Sequence, residues 1–133
     1  MPVFADTMPV KIFGFNYDTS SAIISIKIQD QNPKNENIAA PQLARLSNPN
    51  RIYFDINNAI LIGEKQQIVF DNSNIKEIKL AQFETNPYIV RAVITFEEDF
   101  DTSKIQLMTF KNSIIIAAKQ PTLTNDYFNL IYD

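Results

Sequence analysis

The chain has 133 residues, 12 Lys and Arg against 15 Asp and Glu for a net charge of −3, no His, no Cys, no Trp and two glycines. Without imidazole or thiol there is no Ser-His-Asp or Cys-His nucleophile system and no ligand supply for a zinc hydrolase; with glycine only at Gly14 and Gly63, neither a GxGxxG nor a Walker loop can be written. The mild acidity gives no broad basic field for nucleic acid or an anionic bilayer, and no apolar run approaches the ~20 residues of a membrane span.

One domain of this length buries roughly 68% of its unfolded surface, enough for a substantial core. Ile, Val, Phe and Tyr dominate an alternation of period two, and such β-branched and aromatic residues suit a pleated, half-buried surface. Residues 10–15 and 22–28 open the chain as strands, joined by the turn chemistry of 16–21. The stretch 35–46 resists assignment: Ile38, Leu43 and Leu46 suit a short helix, but Pro41 disfavours it, so an extended segment with a turn is expected. Further strands are expected at 51–56, 67–70, 75–81, 88–96, 104–110 and 113–119, with edge pieces at 58–62 and 127–132. Asn-rich clusters separate them, because asparagine tolerates positive φ and forms Asx-turns where glycine is scarce. Lys111-Asn112 reads as a tight hairpin. Eight main strands at this spacing predict an all-β sandwich of two roughly symmetrical, mainly four-stranded sheets.

Two of these strands echo each other. Arg51-Ile-Tyr-Phe-Asp-Ile and Arg91-Ala-Val-Ile-Thr-Phe each place an arginine at the start of an alternating run, after Asn48-Pro49 and Asn86-Pro87 respectively. Alternation turns Ile52, Phe54 and Ile56 to one face and Arg51, Tyr53 and Asp55 to the other; Arg91 and Thr95 are likewise opposite Ala92, Ile94 and Phe96. The echo predicts two similar sheets, each presenting one arginine outward.

Three segments in order, Leu46-Ser-Asn-Pro-Asn-Arg-Ile-Tyr-Phe-Asp-Ile-Asn-Asn-Ala, Ile75-Lys-Glu-Ile-Lys-Leu-Ala-Gln-Phe and Ile89-Val-Arg-Ala-Val-Ile, resemble the AMIN domain over about residues 9–119. The resemblance implies a non-catalytic module that binds peptidoglycan and localises an N-acetylmuramoyl-L-alanine amidase, with an alternative role as an interaction scaffold in secretins of type IV pilus machinery. It further implies recurrent motifs on the outer sheet faces. Residues 1–120 are then the AMIN-like domain, and 121–133 a tail that is either an edge strand or the start of a linker. The expected location is the periplasm or cell envelope, with a signal peptide ahead of residue 1 in the full reading frame. Peptidoglycan is the expected partner and an envelope or divisome protein the second. No catalytic residue, metal or cofactor, no nucleic acid and no membrane insertion is expected.

The candidate peptidoglycan-binding residues are Arg51, Tyr53, Asp55, Lys79, Arg91 and Thr95. A sugar-peptide polymer offers carboxylates, amides, hydroxyls and apolar ring faces. Arg can fork onto a carboxylate, Tyr can pack on a sugar ring, and Asp can accept from hydroxyl or amide. The competing reading makes Arg51 and Asp55 ordinary sheet-surface ions. Lys79 stands where the family usually has Arg, and Thr95 where it usually has Asp, which leaves Arg91 without an in-strand carboxylate and predicts a weaker second face. Phe83 is an exposed stacking aromatic or, by the usual burial of Phe, a core residue. Glu97-Glu98-Asp99-Phe100-Asp101 lacks both the cleft spacing of a glycosidase pair and an EF-hand loop, and reads as a solvated turn.

Overall fold

The computed structural model describes residues 8–29, 39–71 and 74–118. Ten strands occur among them: β1 (Val10–Asp18), β2 (Ile23–Gln29), β3 (Ala44–Leu46), β4 (Arg51–Asn57), β5 (Ala59–Leu61), β6 (Gln66–Val69), β7 (Ile75–Thr85), β8 (Tyr88–Phe96), β9 (Gln106–Phe110) and β10 (Ser113–Ala117). A 3-10 turn covers Thr102–Lys104. No helix among the described residues is long and apolar enough to cross a membrane.

The strands form two five-stranded sheets: sheet A in the order β5-β1-β2-β10-β9 and sheet B in the order β3-β4-β8-β7-β6. All neighbours are antiparallel except β1 and β5. The all-β sandwich is therefore the fold, with one strand more per sheet than the main four expected. The additions are β5, anticipated as an edge piece, and β3, which lies in the stretch that resisted assignment. Part of that stretch, the expected edge run 127–132, the end of the run 113–119 and the whole tail 121–133 lie outside the described residues.

Alternation builds the core directly. In β2 the residues Ile24, Ile26 and Ile28 are buried, while Ser25, Lys27 and Gln29 face outward. β4 buries Ile52, Phe54 and Ile56, β8 buries Val90, Ala92, Ile94 and Phe96, and β10 supplies Ile114 and Ile116 from the opposite sheet. Each such Ile, Val or Phe side chain contributes on the order of 1.5–3 kcal/mol when fully buried. A bulge between Ile75 and Glu77 interrupts the alternation of β7 near its start, so that Ile75 and Ile78 both point inward and Lys76 is exposed.

Asparagine does take over turns: Asn48 has φ +57° and Asn58 φ +52°, and Lys111 opens the expected hairpin at φ +54°. Asn58 lies at the point where the chain leaves sheet B for sheet A, and its carbonyl accepts from the Val10 amide at 2.9 Å. The peptides before Pro49 and Pro87 are both cis.

Two glutamines tie the sheets together. Gln66 of sheet B donates to the Phe13 carbonyl (2.8 Å) and accepts from the Phe15 amide (3.3 Å), bridging the bulge in β1. That bulge centres on Gly14, with φ +153°, where a Cβ would sit 2.5 Å from the Gln66 carboxamide. Gln82 accepts from Leu61 N (2.8 Å) and donates toward the carbonyls of Ala59, Glu84 and Ile89 at 2.9–3.0 Å, joining β5 to β7 and β8.

The acidic run behaves as a structured, solvated turn. Asn50 donates to the carbonyls of Glu97 (2.9 Å) and Phe100 (2.8 Å), Arg45 to those of Thr102 and Ile105 (both 2.8 Å), and Phe100 stacks on Phe96 at 4.8 Å. Asp101 caps the 3-10 turn through Ser103, whose hydroxyl and amide hold its carboxyl below the usual aspartate range. Among the described residues no three Asp or Glu side chains converge as metal ligands.

Candidate functional site

The six candidate residues all lie on the outer face of sheet B. β4 and β8 are adjacent antiparallel strands, and β7 flanks β8. Their registers set three rows: Arg51, Thr95 and Glu77; Tyr53, Val93 and Lys79; Asp55, Arg91 and Ala81. At ordinary strand spacing and rise, this grid is about 10 Å across and about 13 Å along. All six candidates are half-buried, the signature of outward side chains packed against one another on a sheet.

This arrangement corrects two expectations. The arginine echo does not mark two sheets with an arginine apiece, because both strands pair within one sheet. And although Thr95 leaves Arg91 without an in-strand carboxylate, the weaker second face inferred from that does not follow: Asp55 on the neighbouring strand supplies one. Arg91 Nε donates to Asp55 Oδ1 at 2.7 Å and Nη2 to Oδ2 at 2.9 Å, a forked pair in which each side chain keeps 27–29% exposure. The fork and its charge raise the Arg91 pKa, the Asp55 hydrogen bonds being the largest cause. A weaker second face therefore has no counterpart in the fold; there is one composite face.

Phe83 completes it. The β7 strand runs to Thr85, beyond the end expected at residue 81, and a bulge between Gln82 and Glu84 brings Phe83 over Arg91. The guanidinium carbon lies 3.6 Å from the Phe83 ring centre and 4.5 Å from that of Tyr53. Phe83 is 47% exposed, so its expected burial does not hold. The signal was present in the strand itself: residues 79, 81 and 83 share one parity, and Lys79 points outward.

The other cations are differently held. Arg51 donates from Nη1 to the Pro49 carbonyl at 2.9 Å, and neither it nor Lys79 has a carboxylate within ion-pair distance among the described residues. Thr95 sits between Arg51 and Glu77, and Glu77 accepts from Gln67. Beside this grid, segment 39–44 and the β4 residues Tyr53, Asp55 and Asn57 wall an open groove of about 660 Å³. The face therefore offers an aromatic pole around a neutralised arginine, with the cations Arg51 and Lys79 on the two strands that flank β8 and Glu77 beside them. It can stack on flat apolar surface and exchange hydrogen bonds with amides, hydroxyls and carboxylates.

No match was found among the curated proteins or among the solved structures. The family model of the AMIN domain matches residues 21–118, which takes in nine of the ten strands, all but β1. The chain belongs to the AMIN domain family.

Proposed function

We propose that this chain is a cell-wall targeting module whose sheet B outer face binds peptidoglycan, localising an attached amidase in the bacterial envelope. AMIN is a non-catalytic module, known for peptidoglycan binding and found in envelope proteins. The observation that carries the reading is the gathering of Arg51, Tyr53, Asp55, Lys79, Arg91 and Thr95 on one face of one sheet. Scattered surface ions would give no such coherent patch. Individual contacts on that face are weak, and repetition along a polymer raises their effective strength. Residues 1–120 are the binding domain in this reading, and 121–133 a tail that is either an edge strand or the start of a linker.

Co-sedimentation with purified sacculi tests it. The wild type pellets, and the combined Arg51→Ala and Arg91→Ala variant stays in the supernatant while still unfolding in one cooperative thermal transition, lowered by the loss of the Arg91–Asp55 pair. A wild type that remains soluble beside the sacculi defeats the proposal.

A second reading, a scaffold in a secretin or pilus assembly, is favoured by one observation. The edge strand β6 exposes Ile68 (43%) and Val69 (68%) beside an unpaired backbone edge among the described residues, a surface suited to strand addition by an envelope protein. Binding to an envelope protein without binding to sacculi selects that reading.

A further inference from the structure

Resting on the wall-binding reading above, we infer that the Phe83–Arg91–Tyr53 ledge takes the glycan strand, stacking on the apolar face of a pyranose ring, and does not take a stem-peptide carboxylate. The residue that looked best suited to grip a carboxylate is already engaged. Two N–H groups of Arg91, on Nε and Nη2, are given to Asp55 at 2.7 and 2.9 Å, so its side-on fork is already filled by a carboxylate. Two aromatic rings crowd the guanidinium, their centres 3.6 and 4.5 Å from its carbon. Asp55 neutralises Arg91 within the face, so this pole offers no unpaired arginine to an anionic peptide terminus.

What this pole does offer is ring surface and acceptors. Phe83 has one face against the guanidinium and retains 47% exposure in the remainder. Arg91 holds that ring in place from below, itself fixed by Asp55, so the platform is ordered before any ligand arrives, which lowers the entropy lost on binding. The half-buried Tyr53 ring and the Asp55 carboxylate lie within the same two rows, where hydroxyls and amides of a stacked sugar can be met. A flat apolar ring edged by polar acceptors matches a pyranose, which has an apolar face and a polar rim. It does not match a flexible, charged peptide. Phe83 is then the ring-stacking residue and Arg91 a positioning residue.

The test is competition on sacculi with the whole chain. Glycan strands stripped of stem peptides should displace the wild type, and free stem peptides at the same molar concentration should not. Phe83→Ala should weaken binding to stripped strands by roughly five- to tenfold, the equivalent of removing one aromatic stacking interaction, while Phe83→Tyr, which keeps the ring, restores it. Since Phe83 is exposed, its thermal transition should stay in place. Displacement by stem peptides and not by stripped strands overturns this inference and leaves wall binding standing. Undiminished binding of Phe83→Ala to stripped strands also overturns it. A wild type that does not sediment with sacculi at all removes the wall-binding reading and this inference with it.

Discussion

Replacing Asp55 by Asn and Arg91 by Met, singly and together, measures how firmly the outer face is locked. At a separation of 2.7 Å, two unit charges attract by about 6 kcal/mol at an effective dielectric of about 20, and by about 1.5 kcal/mol in bulk water. The two side chains keep 27% and 29% of their exposure, so the local medium lies between those limits. Desolvation and lost side-chain freedom oppose the attraction. Fully exposed pairs are worth about 0–1 kcal/mol and charge-assisted hydrogen bonds about 1.5–3 kcal/mol, which for a partly buried fork places the coupling at about 1.5 kcal/mol. Methionine keeps the stem that packs beneath Phe83, and the stacking that disappears with the guanidinium cancels in the cycle. Urea unfolding of the four proteins at neutral pH, at constant m-value, reads the coupling as the departure from additivity. High salt should reduce it only in part, because partly buried pairs are incompletely screened. A coupling below about 0.5 kcal/mol would put the pair with ordinary surface ions, and the picture of Arg91 as a fixed support for Phe83 would have to be abandoned.

Gly14→Ala should destabilise the fold by about 1–3 kcal/mol, the range for a residue forced into an unfavourable backbone region, because of its φ of +153° and the Gln66 carboxamide 2.5 Å from the new Cβ. Adding Gln66→Ala should recover the steric part, so the double variant unfolds at less denaturant cost than the sum of the singles; strict additivity would refute the contact. Gln82→Ala should cost about 1–3 kcal/mol by orphaning a partly buried amide, and hydrogen exchange at Leu61 N–H, whose acceptor is Gln82, should accelerate selectively. The carboxyls of Asp18 and Asp101 are both lowered from the ordinary 3.8, chiefly by the hydroxyls of Ser20 and Ser103. A depressed folded pKa gives stability that is present above the unfolded value and lost as pH falls through the folded one. Acid titration of the folded fraction should accordingly show a decline beginning near 3.8 and continuing below it, flattened in the Asp18→Asn, Asp101→Asn variant. An unchanged acid profile in that variant would remove these two caps as its origin.

Much of this architecture was legible because period two is a local signal. The runs 51–56 and 88–96 coincide with β4 and β8 to within a residue at each end, and the inward set of Ile52, Phe54, Ile56, Ala92, Ile94 and Phe96 is buried as alternation requires. Lys111-Asn112 turns because its flanking strands are plain. Partnership was not legible in the same way. Alternation gives the face of a strand but not its neighbour, so the Arg51 and Arg91 strands could be read as belonging to different sheets when they in fact pair. The fate of Phe83 depended on a bulge at Gln82 and on a cross-strand cation, neither of which has a local signature. Composition statistics for Phe pointed inward, and the strand's own parity pointed outward.

Sheet B is drawn from one continuous stretch, Ala44 to Phe96, interrupted only by β5, whereas sheet A gathers β1 and β2 from the beginning and β9 and β10 from the end. A chain emerging N-terminus first can therefore complete sheet B, by the hairpins β3-β4, β6-β7 and β7-β8 and the longer closure of β8 onto β4, before β9 and β10 have joined sheet A. Only when β10 slots beside β2, aligning Ile116 with Ile24, is the inner face of sheet B sealed. Sheet B is thus complete before the sheet that covers it, and its apolar inner face stays open to aggregation until β10 arrives. Truncation ahead of Ser113 would freeze the protein in that state.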